Sequence, residues 1–137
     1  MLVFKDLPDT TTPINAENLN ENFEECNNIV ESGSNNSGKY IKFSDGTMIC
    51  WNRITSTSSS TSQSNGIYYC PFTMAFPQEF IETPTVIPSL TQIAGLYFTS
   101  LGNNQPSTTQ VQLRSLSMSA FTNVQFTYSY IAIGKWK

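Results

Sequence analysis

The chain is 137 residues long, 12% of them charged, with a formal charge of −3. That length holds one main domain with a core able to fold without disulfide or metal, and a charged fraction half the usual ~25% leaves the solvent face to hydroxyls and amides. The lack of histidine excludes Ser-His and Cys-His catalysis and His-based metal sites, and six scattered bases in residues 32–137 argue against a nucleic-acid footprint.

The charge is unevenly placed, with −6 on residues 1–31 and +3 on residues 32–137. This divides the chain into an amino-terminal joint with a short helix, residues 1–32, and a head, residues 33–137. In the joint, Pro8 and Pro13 remove donors and bias their predecessors away from helix, so residues 4–14 read as an extended connector. Asn15 can cap a helix, Glu17 suits its first turn, and Gly33 offers a stop after about Glu31. Leu19, Phe23, Cys26 and Val30 are spaced four, three and four, which is the seam of a coiled coil over two heptads. So short a helix needs a partner surface, either its own head or the helices of identical chains.

Ser32-Gly33-Ser34-Asn35-Asn36-Ser37-Gly38 reads as a linker by composition. Beyond it the pattern turns to period two. Residues 39–43 and 47–51 form a hairpin about Ser44-Asp45-Gly46, with Ile41 and Phe43 on one face and Tyr40 and Lys42 on the other, Lys42 as a solvated position. The low-complexity Ser/Thr run of residues 55–62 favours a loop over an edge strand. Residues 67–74 form a strand that Pro71 places at an edge or a bulge. Further strands are expected over residues 85–90, 96–101, 109–116 and 121–133, where Val111/Leu113 and Val124/Phe126/Tyr128/Tyr130 alternate most clearly. Seven or eight strands with no second helical pattern make the head mainly β, an antiparallel, jelly-roll-like β-sandwich behind a short amino-terminal helix.

Cys26, Cys50 and Cys70 form no CxxC pair, and their odd number suits buried small hydrophobes better than a bridge. No cofactor and no metal site are expected. The amino terminus lacks the basic start and apolar core of a signal peptide, and no apolar run approaches ~18 residues, so no membrane insertion is expected.

Three separated pieces resemble one family. Residues 4–20, from Phe4-Lys5-Asp6-Leu7-Pro8 to Asn18-Leu19-Asn20, are similar to the joint near the start of baseplate and tail-fibre proteins of phages that infect Gram-positive bacteria. Residues 38–51, with their Phe43-Ser44-Asp45-Gly46-Thr47-Met48-Ile49-Cys50-Trp51 core, resemble the first hairpin of the carboxy-terminal head of tail fibres. Phe76-Pro77-Gln78-Glu79-Phe80, Pro84-Thr85-Val86 and the stretch from Tyr130 to Lys137 are similar to the rest of that head. The resemblance implies a homotrimeric receptor-binding tip on a virion tail or phage-tail-like particle, made in the bacterial host cytoplasm. It would attach to other tail or baseplate proteins through its amino-terminal segment and present loops to a bacterial cell-surface saccharide or wall polymer. The long shaft of such fibres is absent from this sequence, which leaves a small baseplate protein or a prophage remnant open.

Saccharide sites in such proteins combine an aromatic platform with amides and planar charges. The candidates are Trp51, Tyr68, Tyr69 and Tyr97, with Asn52, Arg53, Asn103, Asn104 and Gln105 near strand ends; for each aromatic, packing in the core or between chains is the plainer alternative. Arg53 can pair with phosphate or carboxylate. The protein is expected not to be an enzyme and to have no catalytic residue. In the head only Asp45, Glu79 and Glu82 are acidic, where a glycosidase needs two facing carboxylates at ~5–10 Å; Asp45 suits a turn and the two glutamates a solvated bend. A structural tail component without receptor affinity is the next reading, and a glycan hydrolase the third.

Overall fold

The computed structural model describes residues 29–92 and 94–137. Along these residues run β1 (Ile29–Asn35), β2 (Gly38–Phe43), β3 (Thr47–Ser58), β4 (Ser62–Ser64), β5 (Ile67–Ala75), β6 (Thr85–Gln92), β7 (Phe98–Leu101), β8 (Gln110–Ser117) and β9 (Val124–Lys135). They build two antiparallel sheets, a five-stranded sheet ordered β1-β2-β3-β9-β6 and a four-stranded sheet ordered β4-β5-β8-β7. The expected antiparallel sandwich is therefore the fold. The expected helix, with Leu19, Phe23 and Cys26, falls mostly outside the described residues.

Alternation decides which side chains enter the core. Phe126, Tyr128, Tyr130 and Ala132 of β9 and Val111, Leu113 and Ser115 of β8 are buried, while Ile131 and Ile133 between them point out. Phe72 stacks on Tyr128 with centroids 4.3 Å apart, and Phe76 packs edge-on against Phe80 and Tyr130. A buried phenol needs a partner. The Tyr128 hydroxyl hydrogen-bonds Ser58 Oγ at 3.1 Å and Ser115 Oγ at 3.2 Å, joining the two sheets through the core. Both Cys50 and Cys70 are free thiols, and burial pushes the Cys50 thiol up to about 11, an inert state.

The β2–β3 hairpin forms in the expected place, pairing Tyr40 with Cys50 and Ile41 with Ile49. Its turn is held by Gly46 at φ +93 and by Thr47 N–H donating to Asp45 Oδ1 at 2.8 Å. That backbone bond, first among the causes, holds the Asp45 carboxyl below its ordinary value. Residues 135–137 clasp the same turn: Trp136 N–H donates to Gly46 O and its Nε1–H to Phe43 O, each at 2.9 Å. Pro71 of β5 lies beyond the reach of β4, so its missing donor falls where one side of the strand is unpaired.

Four expectations are corrected. Residues 32–38 are not a linker and the helix does not reach Glu31, because β1 pairs with β2 from Ile29↔Phe43 to Asn35↔Gly38 with a bulge near Ile29. Val30, assigned to the helical seam, stands in this strand and is 52% exposed. Small polar residues suffice for an edge strand whose backbone bonds do the pairing, and specific side chains add to it. Glu31 accepts from Tyr40 Oη at 2.7 Å and Lys42 Nζ at 3.1 Å, and Asn35 Nδ2 donates to Pro77 O at 2.9 Å. The Ser/Thr run is likewise paired. β3 continues to Ser58 against β9, with Thr55 Oγ1 and Thr127 Oγ1 2.9 Å apart, and β4 begins the second sheet at Ser62. Lys42 is not a solvated face residue: its side chain is 14% exposed, held by Glu31, Gln78 Oε1 and the rings of Tyr40 and Trp136.

Candidate functional site

The two outer faces of the sandwich differ in chemistry because the outward residues of each strand line up in register. On the five-stranded sheet, Ile41, Ile49, Ile133 and Thr85 form one row across β2, β3, β9 and β6, and Lys39, Trp51, Ile131 and Ile87 form the next. Arg53, Ser129 and Ser89 follow. Ile87 is 61% exposed and Ile131 48%. Trp51, Arg53, Ile87 and Ile131 line a shallow depression of about 260 Å³. The face is thus a mainly apolar sheet surface with the cations Lys39 and Arg53 at its margin.

On the four-stranded sheet, Tyr69, Pro71 and Thr73 of β5 stand beside Leu116, Arg114 and Gln112 of β8, with Phe98 and Ser100 of β7 beyond. The Arg114 guanidinium lies over the Tyr69 ring, 5.0 Å from its centroid. Arg114 Nε is shielded from solvent and has no hydrogen-bond partner. Among the described residues the ion pair within 4.0 Å is Lys42–Glu31, so Arg114 has no carboxylate beside it. Gln112 is fixed at the margin: its N–H donates to Gln105 Oε1 at 3.1 Å and its carbonyl accepts from Gly102 N–H at 2.8 Å.

The nine candidate binding residues do not form one cluster. Trp51 and Arg53 belong to the apolar face, and Tyr69 to the other. Gln105, with the exposed Asn103 and Asn104, sits in the β7–β8 connection beside Gln112. Asn52 is engaged by the backbone, donating from Nδ2 to Ser37 O at 3.0 Å and accepting the Arg53 N–H at 2.8 Å. Tyr68 and Tyr97 pack against the core, Tyr97 edge-on to Phe126 at 4.9 Å and Phe121 at 5.5 Å. Arg114 was missed. The alternation of Val111 and Leu113 already places it outward, but only the β5–β8 register brings it to Tyr69.

At the end of the sandwich where β3 stops and β9 starts, Leu96 and Met118 are 71% and 76% exposed beside a depression of about 330 Å³ lined by residues 95–98 and 117–120. The acids are spread differently: Asp45 serves the β2–β3 turn, and Glu79 and Glu82 are exposed between β5 and β6. Among the described residues no three Cys, Asp or Glu side chains gather as metal ligands do.

The solved structures similar to this chain include two pyocin fibres. One is the P. aeruginosa R1 pyocin fibre comprising its C-terminal residues, with a TM-score of 0.51 and 16% identity over 89% of this chain and 32% of that one. The other is an N-truncated R1-type pyocin tail fibre, with a TM-score of 0.50 and 17% identity over 89% of this chain and 98% of that one. The chain thus spans about a third of the longer structure, and the likeness establishes a shared fold. It lends no support to the narrower expectation of a Gram-positive host. No protein-family model matches the sequence, and no curated protein does.

Proposed function

We propose that the chain is a phage or prophage tail protein whose β-sandwich is a host-recognition head, binding a bacterial surface saccharide without cleaving it. The observation that carries this reading is the fold held in common with pyocin tail fibres over 89% of the chain. In this reading the head works as a homotrimer. The outer face of the five-stranded sheet, with Ile87, Ile131 and Ile133 at 61%, 48% and 43% exposure, supplies an apolar surface for neighbouring copies. The residues before β1 join the head to other tail or baseplate proteins, on a virion tail or a phage-tail-like particle. Assignment of Asp45 to the turn, with Glu79 and Glu82 solvated, supports binding without hydrolysis.

The test is adsorption of labelled full-length protein to intact bacteria from a strain panel, before and after removal of surface saccharides, with reducing-sugar release followed in parallel. Saccharide-dependent adsorption without sugar release is expected. A trimer that adsorbs to no strain would instead be a structural tail component, and sugar release lost in Asp45→Asn or Glu79→Gln would make it a hydrolase.

A further inference from the structure

We infer that Arg114 and Tyr69 on the outer face of the four-stranded sheet form an anchor for an oxyanion-bearing saccharide, a sugar polymer carrying carboxylate or phosphate. This deepens the recognition reading and rests on it for its biological sense, though the chemistry stands on the face itself. Arg114 is clamped in register between Pro71 of β5 and Ser100 of β7, with Tyr69 under its guanidinium at 5.0 Å. A cation so placed has lost part of its hydration, and its Nε is screened from water without gaining a protein acceptor. Elsewhere in the head a cation in comparable surroundings is matched: Lys42, also against aromatic rings, has Glu31 at 3.1 Å and Gln78 Oε1 at 3.2 Å. Arg114 keeps the ring and, among the described residues, lacks the counter-charge.

The missing partner is of a definite kind. A guanidinium presents a planar fork of donors that carboxylate and phosphate oxygens meet in pairs, and such charge-assisted bonds are the strong ones. Around the fork lie the surfaces a sugar ring needs. Phe98, 48% exposed, stands opposite Leu116 beside Arg114, and Gln112 carries an amide on the other side, its Nε2 3.4 Å from Thr73 Oγ1. The aromatic edge suits the apolar face of a pyranose, the amide its hydroxyls, and the guanidinium its acid group. A neutral glycan would leave the cation as it is.

The test uses full-length ¹⁵N-labelled protein and three probes: an oligogalacturonate for carboxylate, a phosphodiester-linked glycerol oligomer for phosphate, and a maltooligosaccharide as neutral control. The Arg114 Nε–Hε and Tyr69 ring signals should move with at least one acidic probe, whose identity names the source of the oxyanion, and not with the neutral one. Arg114→Gln should weaken that binding at least tenfold, and Arg114→Lys should restore part of it. Silence with both acidic probes, equal shifts with the neutral probe, or undiminished binding by Arg114→Gln overturns the anchor. Should Arg114→Gln misfold by its amide spectrum, the direct shifts in the unaltered protein and in Arg114→Lys decide. Cell adsorption separates this from the broader reading. Equal adsorption by native protein and folded Arg114→Gln removes the anchor and keeps recognition; acidic-probe binding at Arg114 without adsorption to any strain keeps the anchor and removes recognition.

Discussion

The two outer faces of this sandwich are built from the same alternation and end in different chemistries. Across the five-stranded sheet the outward positions of β2, β3, β9 and β6 hold a band of Ile41, Ile49, Ile133, Trp51, Ile131 and Ile87 that gains by losing water, with Lys39, Arg53, Thr85, Ser89 and Ser129 at its margins. Across the four-stranded sheet they are Tyr69, Leu116 and Phe98, then Pro71, Arg114 and Ser100, then Thr73 and Gln112, a mixed surface in which a guanidinium and an amide stand among aromatic and apolar side chains. The contrast divides two tasks that a binding head must perform without interference. In the proposed reading self-association uses one face, and a hydrated partner the other.

The largest effect should come from charging the apolar face. Ile131→Asp removes a side chain already 48% exposed, so the fold should survive, yet each copy would lose about 1.5–3 kcal/mol of burial in an assembly and gain a buried charge. Light scattering at micromolar concentration should show the trimer reduced to monomer. An unchanged trimer would assign association to residues 1–28 and leave the isoleucine face without a role. Next in size is Tyr128→Phe, which leaves Ser58 unpartnered and Ser115 with only its 3.4 Å bond to Cys70 O. Urea unfolding should lose about 1–3 kcal/mol. Because this bridge lies between the sheets, association and acidic-saccharide binding should both be retained below the transition; loss of one alone would mean the two faces are not equally supported by the core.

The smallest effect is a pH response at the sheet edge. The Tyr40 hydroxyl, then Lys42, holds the Glu31 carboxyl below its ordinary 4.5. A lowered carboxylate stabilises above its unfolded value and loses that contribution as pH falls through the folded one. Hydrogen exchange of β1 should therefore speed up below about pH 4.5 relative to β3, and Glu31→Gln should abolish the difference. Equal acceleration in both strands would show that β1 is no separate unit.

The sandwich was legible because β8 and β9 alternate cleanly: Val111 and Leu113, or Phe126, Tyr128 and Tyr130, announce a buried face by period alone. The edge was not. Composition marks residues 32–38 as loose, but a strand paired through its backbone demands little of its side chains, and the partners that fix it, Tyr40, Lys42 and Pro77, lie at distances no local pattern reports. The Ser/Thr stretch of β3 misleads for the same reason, since its neighbour β9 supplies the order. The candidate site suffered most. Each strand predicts its own outward residues, but the meeting of Tyr69 with Arg114 depends on β5 lying beside β8, which register and not composition decides.

The clasp at the β2–β3 turn gives the head a mechanical polarity. Ile29, where the chain enters β1, pairs with Phe43, and Phe43 also accepts the Trp136 indole, so entry and the end of β9 meet at one pole. Leu96 and Met118 mark the other, at the far ends of β6 and β8. A pull through the residues before Ile29, directed away from that far pole, runs along the axis of β1. It loads the β1–β2 rungs in shear, together rather than one after another, so an edge that should loosen first in acid resists such a tug as a unit.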